Sequence, residues 1–291
     1  MELATQIDKI SFAQKQRLTF IESVAYWEGA VDRARVSETF QVSENHVTKD
    51  FRLYKEVFPG NLQYDESYRT YRPSKRFKPY IGKGSAEEYL SMLRMHAEQN
   101  HAALPLPTGV VAADAVSQPK GLLKPEILNS ITRAISSKKG LSITYQSMNS
   151  DEPRPRKIWP HALVFGGTRW HARAYDEERA DFVDLVLQRV LSAKPMTKGI
   201  LPANLVDSEW EKIVTLEVIP KKNLTKTQAE VVAQEYGMTK KGGHWVWEIP
   251  MRECMAAYFI YLYRLDVTED AKRRIELKSP DIAKKYLSAT L

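Results

Sequence analysis

The stretch QVSENHVTKDFRLYKEVFPG, residues 41–60, constrains the fold more than any other part of the chain. Val47, Phe51 and Tyr54 recur at the spacing of one helix face, behind the apolar Val42. Ser43 stands where an N-cap belongs, and Pro59-Gly60 stops the helix. Upstream, QKQRLTFIESVAYWE (residues 14–28) places Leu18, Ile21, Val24 and Ala25 on a second helical stripe that Gly29 ends. A short helix is expected over Arg33–Phe40, capped by Asp32. Helix, short turn and Ser-capped helix together make the helix-turn-helix pattern.

With Val47, Phe51 and Tyr54 on the core, Asn45, His46, Thr48, Lys49, Arg52 and Lys55 project outward from the helix that Ser43 begins. Asn and Arg suit base edges, while Lys and Thr reach bases or phosphates. A solvated polar face on an ordinary helical pair is the plain alternative. The next stretch favours DNA. NLQYDESYRTYRPSKRFKPY alternates as a hairpin around Asp65-Glu66-Ser67, and residues 69–78 hold five cations and no acid, interleaved with Tyr71 and Phe77. A basic hairpin after a recognition helix is a wing. Residues 1–95 therefore read as a winged helix-turn-helix domain that contacts duplex DNA through Ser43 and the outward set of its helix and through Arg69, Arg72, Lys75 and Arg76.

A further helix is expected over residues 85–103, with Ser85 and Glu88 in the capping-box positions. His96 and His101 sit five apart and do not form a metal pair. Residues 96–124 read as a helical and linker segment, because the chain turns small, apolar and Pro-punctuated between 103 and 119.

A length of 291 residues predicts two or three domains. The single Cys254 rules out an internal disulfide and fits a reducing compartment. The N-terminus lacks the apolar core of a signal peptide, and no apolar run approaches the roughly 20 residues of a membrane span, so a cytoplasmic location is expected. The net charge is +7, of which residues 119–198 supply +6, with 14 basic against 8 acidic residues. That bias points to an anionic partner.

In that basic region a helix is expected over residues 125–138, with Pro125 in its first turn and Gly140 as its end. Four strand-like runs follow: LSITYQS, RKIWPHALVFGG, TRWHARAYD and DFVDLVLQRVLSA. Alternation puts Trp170, Ala172 and Ala174 on one face of the third run, and Arg169, His171, Arg173 and Tyr175 on the other. Tyr145 and Ser147 share a face with Ile143, Arg156 ends the loop before the second run, and Pro160-His161 interrupts that run at an expected bulge. Tyr145, Ser147, Arg156, His161, His171, Arg173 and Arg189 collect cations and hydroxyls with no acid in the pattern. This composition suits a phosphate-bearing anion, and Trp170 offers a ring for stacking a base.

Residues 201–291 read as a C-terminal α/β extension. KIVTLEVIP is a strand, TKTQAEVVAQEYGM a helix capped by Thr225 and ended by Gly237, HWVWEIPM a strand, and RECMAAYFIYLYRLD a helix. The apolar, aromatic run 258–265 belongs to a core, with a dimer interface as the second reading.

An enzyme would need more than these residues provide. Ser147, His161 and His171 have no acid in the local pattern to orient a histidine, and there is no nucleophile elbow. No P-loop, dinucleotide fingerprint or metal-ligand spacing occurs, so neither catalysis nor a cofactor is expected.

The pattern ITYxS…RxIxPHxLV…RWHxRAYD…FxxxxLxRV resembles a WYL domain, a module of bacterial transcription regulators, here over residues 125–200. The name-giving Trp-Tyr-Leu appears as Trp170-His171-Ala172, a departure at the second and third positions. YWEG (residues 26–29), PGNLQYD (59–65) and IVTLEVIP…LTKTQAEVVAQEYGM extend the resemblance to the repressors of BREX and CBASS phage-defence operons. The resemblance implies a homodimeric repressor of α+β multidomain build, bound to an inverted-repeat operator. It also implies a central, strongly bent antiparallel sheet with an Sm-like form, which senses a nucleotide or nucleic-acid fragment that relieves repression. An activator, or a regulator that binds single strands, would share this architecture.

Overall fold

Ser11 opens the first helix by accepting the Gln14 N–H, and Gly29, at φ +79°, closes it. The computed structural model describes residues 10–82, 84–98, 111–119, 121–200, 204–267 and 272–287. These fall into two compact units, Met1–Gln118 and Pro119–Leu291.

In the first unit, α1 (Phe12–Glu28), α2 (Arg33–Phe40) and α3 (Glu44–Val57) pack around Leu18, Ile21, Val24, Val36, Val47, Phe51 and Tyr54, all fully buried. Asp32 and Ser43 cap α2 and α3 by accepting the N–H groups of Arg35 and His46. The hairpin consists of β1 (Leu62–Asp65) and β2 (Thr70–Pro73), with an added bridge from Val31 to Tyr71. Only four residues on each side pair, so Lys75 and Arg76 lie beyond the strands. Glu22 of α1 holds the segment after the wing. Buried, it accepts the Tyr80, Ile81 and Gly82 N–H groups at 2.9, 2.8 and 2.8 Å and the Tyr54 hydroxyl at 2.8 Å.

Helix α4 (Ala86–Ala97) is capped by Ser85 and is shorter than expected, because the chain leaves the helix at Glu98. Tyr89 stacks on Trp27 at 4.8 Å. His101 and residues 103–110 of the expected linker lie outside the described residues; 111–119 carry neither helix nor strand.

In the second unit, α5 (Pro125–Ser137) ends at Lys138, which adopts the left-handed conformation at φ +53°. Gly140, expected to end it, belongs instead to β3 (Lys139–Tyr145), where a Cβ would come 2.8 Å from Trp159 Nε1. Five strands form rather than four. After β4 (Arg154–Phe165), β5 (Trp170–Asp176) and β6 (Asp181–Val186), a 3₁₀ turn at Leu187–Arg189 breaks the last run. Strand β7 (Val190–Ile200) then crosses to pair with β3, giving the order β6-β5-β4-β3-β7. The turn reorients the backbone so that one apolar run serves both edges. Helix α5 covers the face formed by Leu141, Ile143, Tyr145, Ile158, Ala172, Ala174 and Leu185. The expected bulge is present: pairing shifts between Pro160 and Ala162, leaving His161 as the extra residue.

The rest of this unit runs α6 (Ser208–Glu211), β8 (Ile213–Pro220), α7 (Lys226–Glu235), β9 (Thr239–Lys241), β10 (His244–Arg252), α8 (Ala256–Leu262), β11 (Ile275–Leu277) and α9 (Asp281–Leu287). The expected strand–helix–strand–helix core is there, enlarged into a four-stranded sheet of order β11-β8-β10-β9. Thr225 and Gln228 form a complete capping box at the start of α7. Ala256 and Ile260 of α8 are fully buried in the local core, so that part of the aromatic run is core. The fold is mixed α+β, with a winged helix followed by two antiparallel sheets.

Candidate nucleic-acid interface and sensor sheet

Burial of Val47, Phe51 and Tyr54 turns the opposite side of α3 outward. Ser43, Asn45, His46, Thr48, Lys49, Arg52 and Lys55 are all exposed. Several are locally held. Ser43 Oγ accepts the His46 N–H, Thr48 Oγ1 donates to Glu44 O at 2.8 Å, Arg52 lies 3.6 Å from Glu56, and Lys55 sits 5.6 Å above the Tyr71 ring. On the wing, Arg69, Arg72, Lys75 and Arg76 are exposed. Arg72 Nε donates to Asp65 Oδ2 at 2.9 Å, so the acid lacking from residues 69–78 comes from across the hairpin. That contact, with the Tyr68 N–H, holds the Asp65 carboxyl below its ordinary value.

The sheet residues do not gather into one acid-free site. Arg173 is buried and donates from Nε to Asp207 Oδ2 at 2.7 Å, and from Nη2 to Asp207 Oδ1 at 2.9 Å and Glu209 Oε2 at 2.8 Å. Asp184 of β6 lies 3.6 Å from Nη1. His161 Nε2 is 2.9 Å from Asp207 Oδ2, so this histidine does have an orienting carboxylate. Burial pushes the Asp207 carboxyl up, but Arg173 and His161 outweigh it and hold the group well below the usual carboxylate range. Asp207 stands 34 residues beyond Arg173, outside any local pattern.

Arg156 Nη1 donates to the buried Asp176 at 2.6 Å, and its guanidinium lies 5.4 Å from the centre of the Tyr145 ring. Tyr145 faces the α5 side as core, with its hydroxyl accepting the Val186 N–H at 3.2 Å, so the ring is closed to a stacking base. Ser147 lies past the end of β3, where its Oγ accepts the Asn149 N–H at 3.2 Å. Trp170 is half-exposed beside Phe165 at 5.2 Å.

His171 behaves differently. It is 4% exposed, its ring lies 5.2 Å from that of Tyr258 on α8, and among the described residues Nδ1 has no hydrogen-bond partner. Burial first, then the charges of Arg169 and Arg189, push its pKa down to about 4, which makes it neutral at physiological pH. Among the described residues, neither Arg169 nor Arg189 forms an ion pair. Tyr258 donates to Asp184 Oδ2 at 3.0 Å, tying α8 to β6.

Sequence reasoning missed Asp207, Glu209, Asp184 and Tyr258. The one available signal was DSEWE (residues 207–211), a helix start in which Asp207 accepts the Trp210 N–H at 3.1 Å. Among the described residues, no helix is long and apolar enough to cross a membrane.

Three family models match successive parts of the chain. A winged helix-turn-helix domain of the BrxR transcriptional regulator covers residues 13–95, a WYL domain 126–195, and a BrxR C-terminal dimerization domain 213–282. The DNA-binding transcriptional repressor CapW of Stenotrophomonas maltophilia is 32% identical over 262 residues, spanning 86% of this chain and 83% of that protein. The CapW repressor of Escherichia coli (strain KTE188) is 30% identical over 260 residues, spanning 89% and 84%. A solved structure, Proteasome accessory factor B/C (PafBC) of Arthrobacter aurescens, aligns over 94% of this chain and 46% of its own at 15% identity and a TM-score of 0.30, too low to compare the folds. By identity and by the order of its three matched segments, the chain belongs to the family of the CapW and BrxR transcriptional regulators, which join a winged helix, a WYL domain and a C-terminal dimerization domain.

Proposed function

We propose that this protein is a homodimeric repressor that binds an inverted-repeat operator in duplex DNA. One observation carries the reading. Helix α3 buries one face completely and turns Asn45, His46, Thr48, Lys49, Arg52 and Lys55 outward, with exposed cations on the hairpin that follows. Such a helix reads base edges from the major groove while the wing cations lie along phosphates. The match of residues 213–282 to a dimerization domain supports a two-fold arrangement of two recognition helices. The resemblance to repressors of phage-defence operons makes such an operon the expected target. The test is a titration of the upstream region of its own gene with wild type and the double variant Lys49→Glu/Arg52→Glu, together with light scattering. Binding lost in the variant at unchanged thermal stability, with a dimer mass, supports the reading; unchanged affinity removes α3 from it.

A second reading concerns regulation: the WYL sheet accepts an anionic nucleotide or oligonucleotide that relieves repression. It is favoured by Arg169 and Arg189, which among the described residues lack ion-pair partners and whose charges act on the neutral His171, its Nδ1 likewise without a partner among those residues. Trp170 offers a half-exposed ring for a base. Arg156 and Arg173 already hold carboxylates, so an anion reaches them only by displacing Asp176, or Asp207 and Glu209. Calorimetry with short oligonucleotides and cyclic nucleotides, on wild type and Arg189→Ala, tests the site. Heat that vanishes in the variant supports it; silence from every anion refutes it.

A further inference from the structure

Asp50 lies on the inner face of α3 and is fully buried. Among the described residues its carboxylate is served from α1. Arg17 donates from Nε at 2.6 Å and from Nη2 at 3.2 Å, and Gln14 donates from Nε2 at 2.9 Å. Arg17 is itself buried, and its Nη1 donates to Ala13 O at 3.3 Å. The guanidinium has one more contact: Nη2 lies 3.0 Å from Nε2 of His46, at the third position of α3 and on its exposed side.

A guanidinium carries five N–H donors, has no acceptor, and does not lose its proton in a protein. The His46 Nε2 must therefore be the acceptor. A neutral imidazole with one accepting nitrogen carries its proton on the other, here Nδ1. The opposite tautomer would set an N–H against an N–H at 3.0 Å. The buried carboxylate holds Arg17 in place, and Arg17 in turn selects the form of the ring.

We propose that Arg17 is a positioning residue that fixes His46 as its Nδ1–H tautomer, so that His46 reads an acceptor on a base edge of the operator. This rests on the assignment of α3 as the DNA-reading helix. With Nε2 occupied, the ring can only donate outward. At the base it faces, it therefore accepts guanine N7 or O6, adenine N7 or thymine O4, and gains nothing from cytosine, which offers only its amino group there. The first residues of a recognition helix are those that reach base edges, which suits position 46.

Two measurements on the full-length protein test the proposal. Long-range ¹H–¹⁵N spectra at neutral pH, with His46 assigned by its loss in His46→Phe, report the tautomer without any DNA. The expected result is Nδ1–H, and an Nε2–H signal overturns the proposal. Selection from a random duplex library tests the reading. Wild type should enrich an inverted repeat. His46→Phe should enrich the same repeat relaxed at one position per half-site, with about a tenfold loss of affinity for the wild-type consensus and unchanged nonspecific binding. Arg17→Lys keeps a cation beside Asp50 but loses the planar fork; it should give mixed tautomers and the same relaxed position. An identical consensus from His46→Phe sinks the role of His46 while leaving α3 as the reader. Failure of wild type to enrich any sequence sinks the DNA reading itself.

Discussion

Arg173 and Asp207 form a two-pronged ion pair, Nε to Oδ2 at 2.7 Å and Nη2 to Oδ1 at 2.9 Å, that ties β5 to the segment entering α6. Both side chains are 5% exposed, so neither charge has water to fall back on. Arg173→Met should leave Asp207 buried without its main counter-charge and cost about 3–5 kcal/mol. Adding Asp207→Asn should recover part of that loss. Urea unfolding of the single and double variants checks both, and an Arg173→Met protein as stable as wild type would contradict the pairing.

His171 should make stability depend on pH. In the folded protein its pKa is pushed down to about 4, against an ordinary value of about 6.5 when unfolded. The unfolded chain therefore binds the extra proton first. The stability tied to the neutral ring is complete above about pH 6.5 and is lost as pH falls toward 4, to an extent of about 3 kcal/mol. Thermal melts between pH 7 and 4 should show this slope in wild type and lose most of it in His171→Leu. Asp207, held low, loses its contribution only as pH falls below the ordinary carboxylate value, so the two effects occupy separate windows.

Glu22 anchors the chain beyond the wing through three backbone N–H groups and the Tyr54 hydroxyl. Glu22→Ala leaves those donors unmet inside the first unit and should cost about 3 kcal/mol or more. Hydrogen exchange should show residues 80–82 losing protection. Unaltered exchange there would mean that Glu22 does not hold the segment.

The wing cations should act on affinity rather than on sequence preference. Lys75→Ala and Arg76→Ala should each flatten the salt dependence of operator binding by about one unit of log–log slope. Arg72, engaged with Asp65 at 2.9 Å, should contribute less than either. Affinities measured from low to physiological salt decide it, and a larger effect from Arg72→Ala would reverse the assignment.

Features that repeat within a few residues were legible from the chain alone. The stripe Val47, Phe51, Tyr54 determined which side of α3 faces solvent, because helix geometry converts spacing directly into a face. Ser43, Asp32, Ser85 and Thr225 marked helix starts by the same local chemistry, since a cap needs only its own side chain and an N–H three residues on. Pro160-His161 announced a bulge.

Charge partners were decided by the tertiary structure. Arg173, Arg156 and His161 belong to a set collected from the strand pattern without an acid, yet all three hold carboxylates: Asp207 and Glu209 for Arg173, Asp176 for Arg156, Asp207 for His161. Asp207 and Glu209 arrive from 34 and 36 residues away, a separation that no periodicity encodes. Burial drives that choice, because a desolvated guanidinium needs an anion wherever the fold can bring one. His46 follows the same logic. Its exposure is local, but its tautomer is set by Arg17, 29 residues earlier, once α1 and α3 have packed.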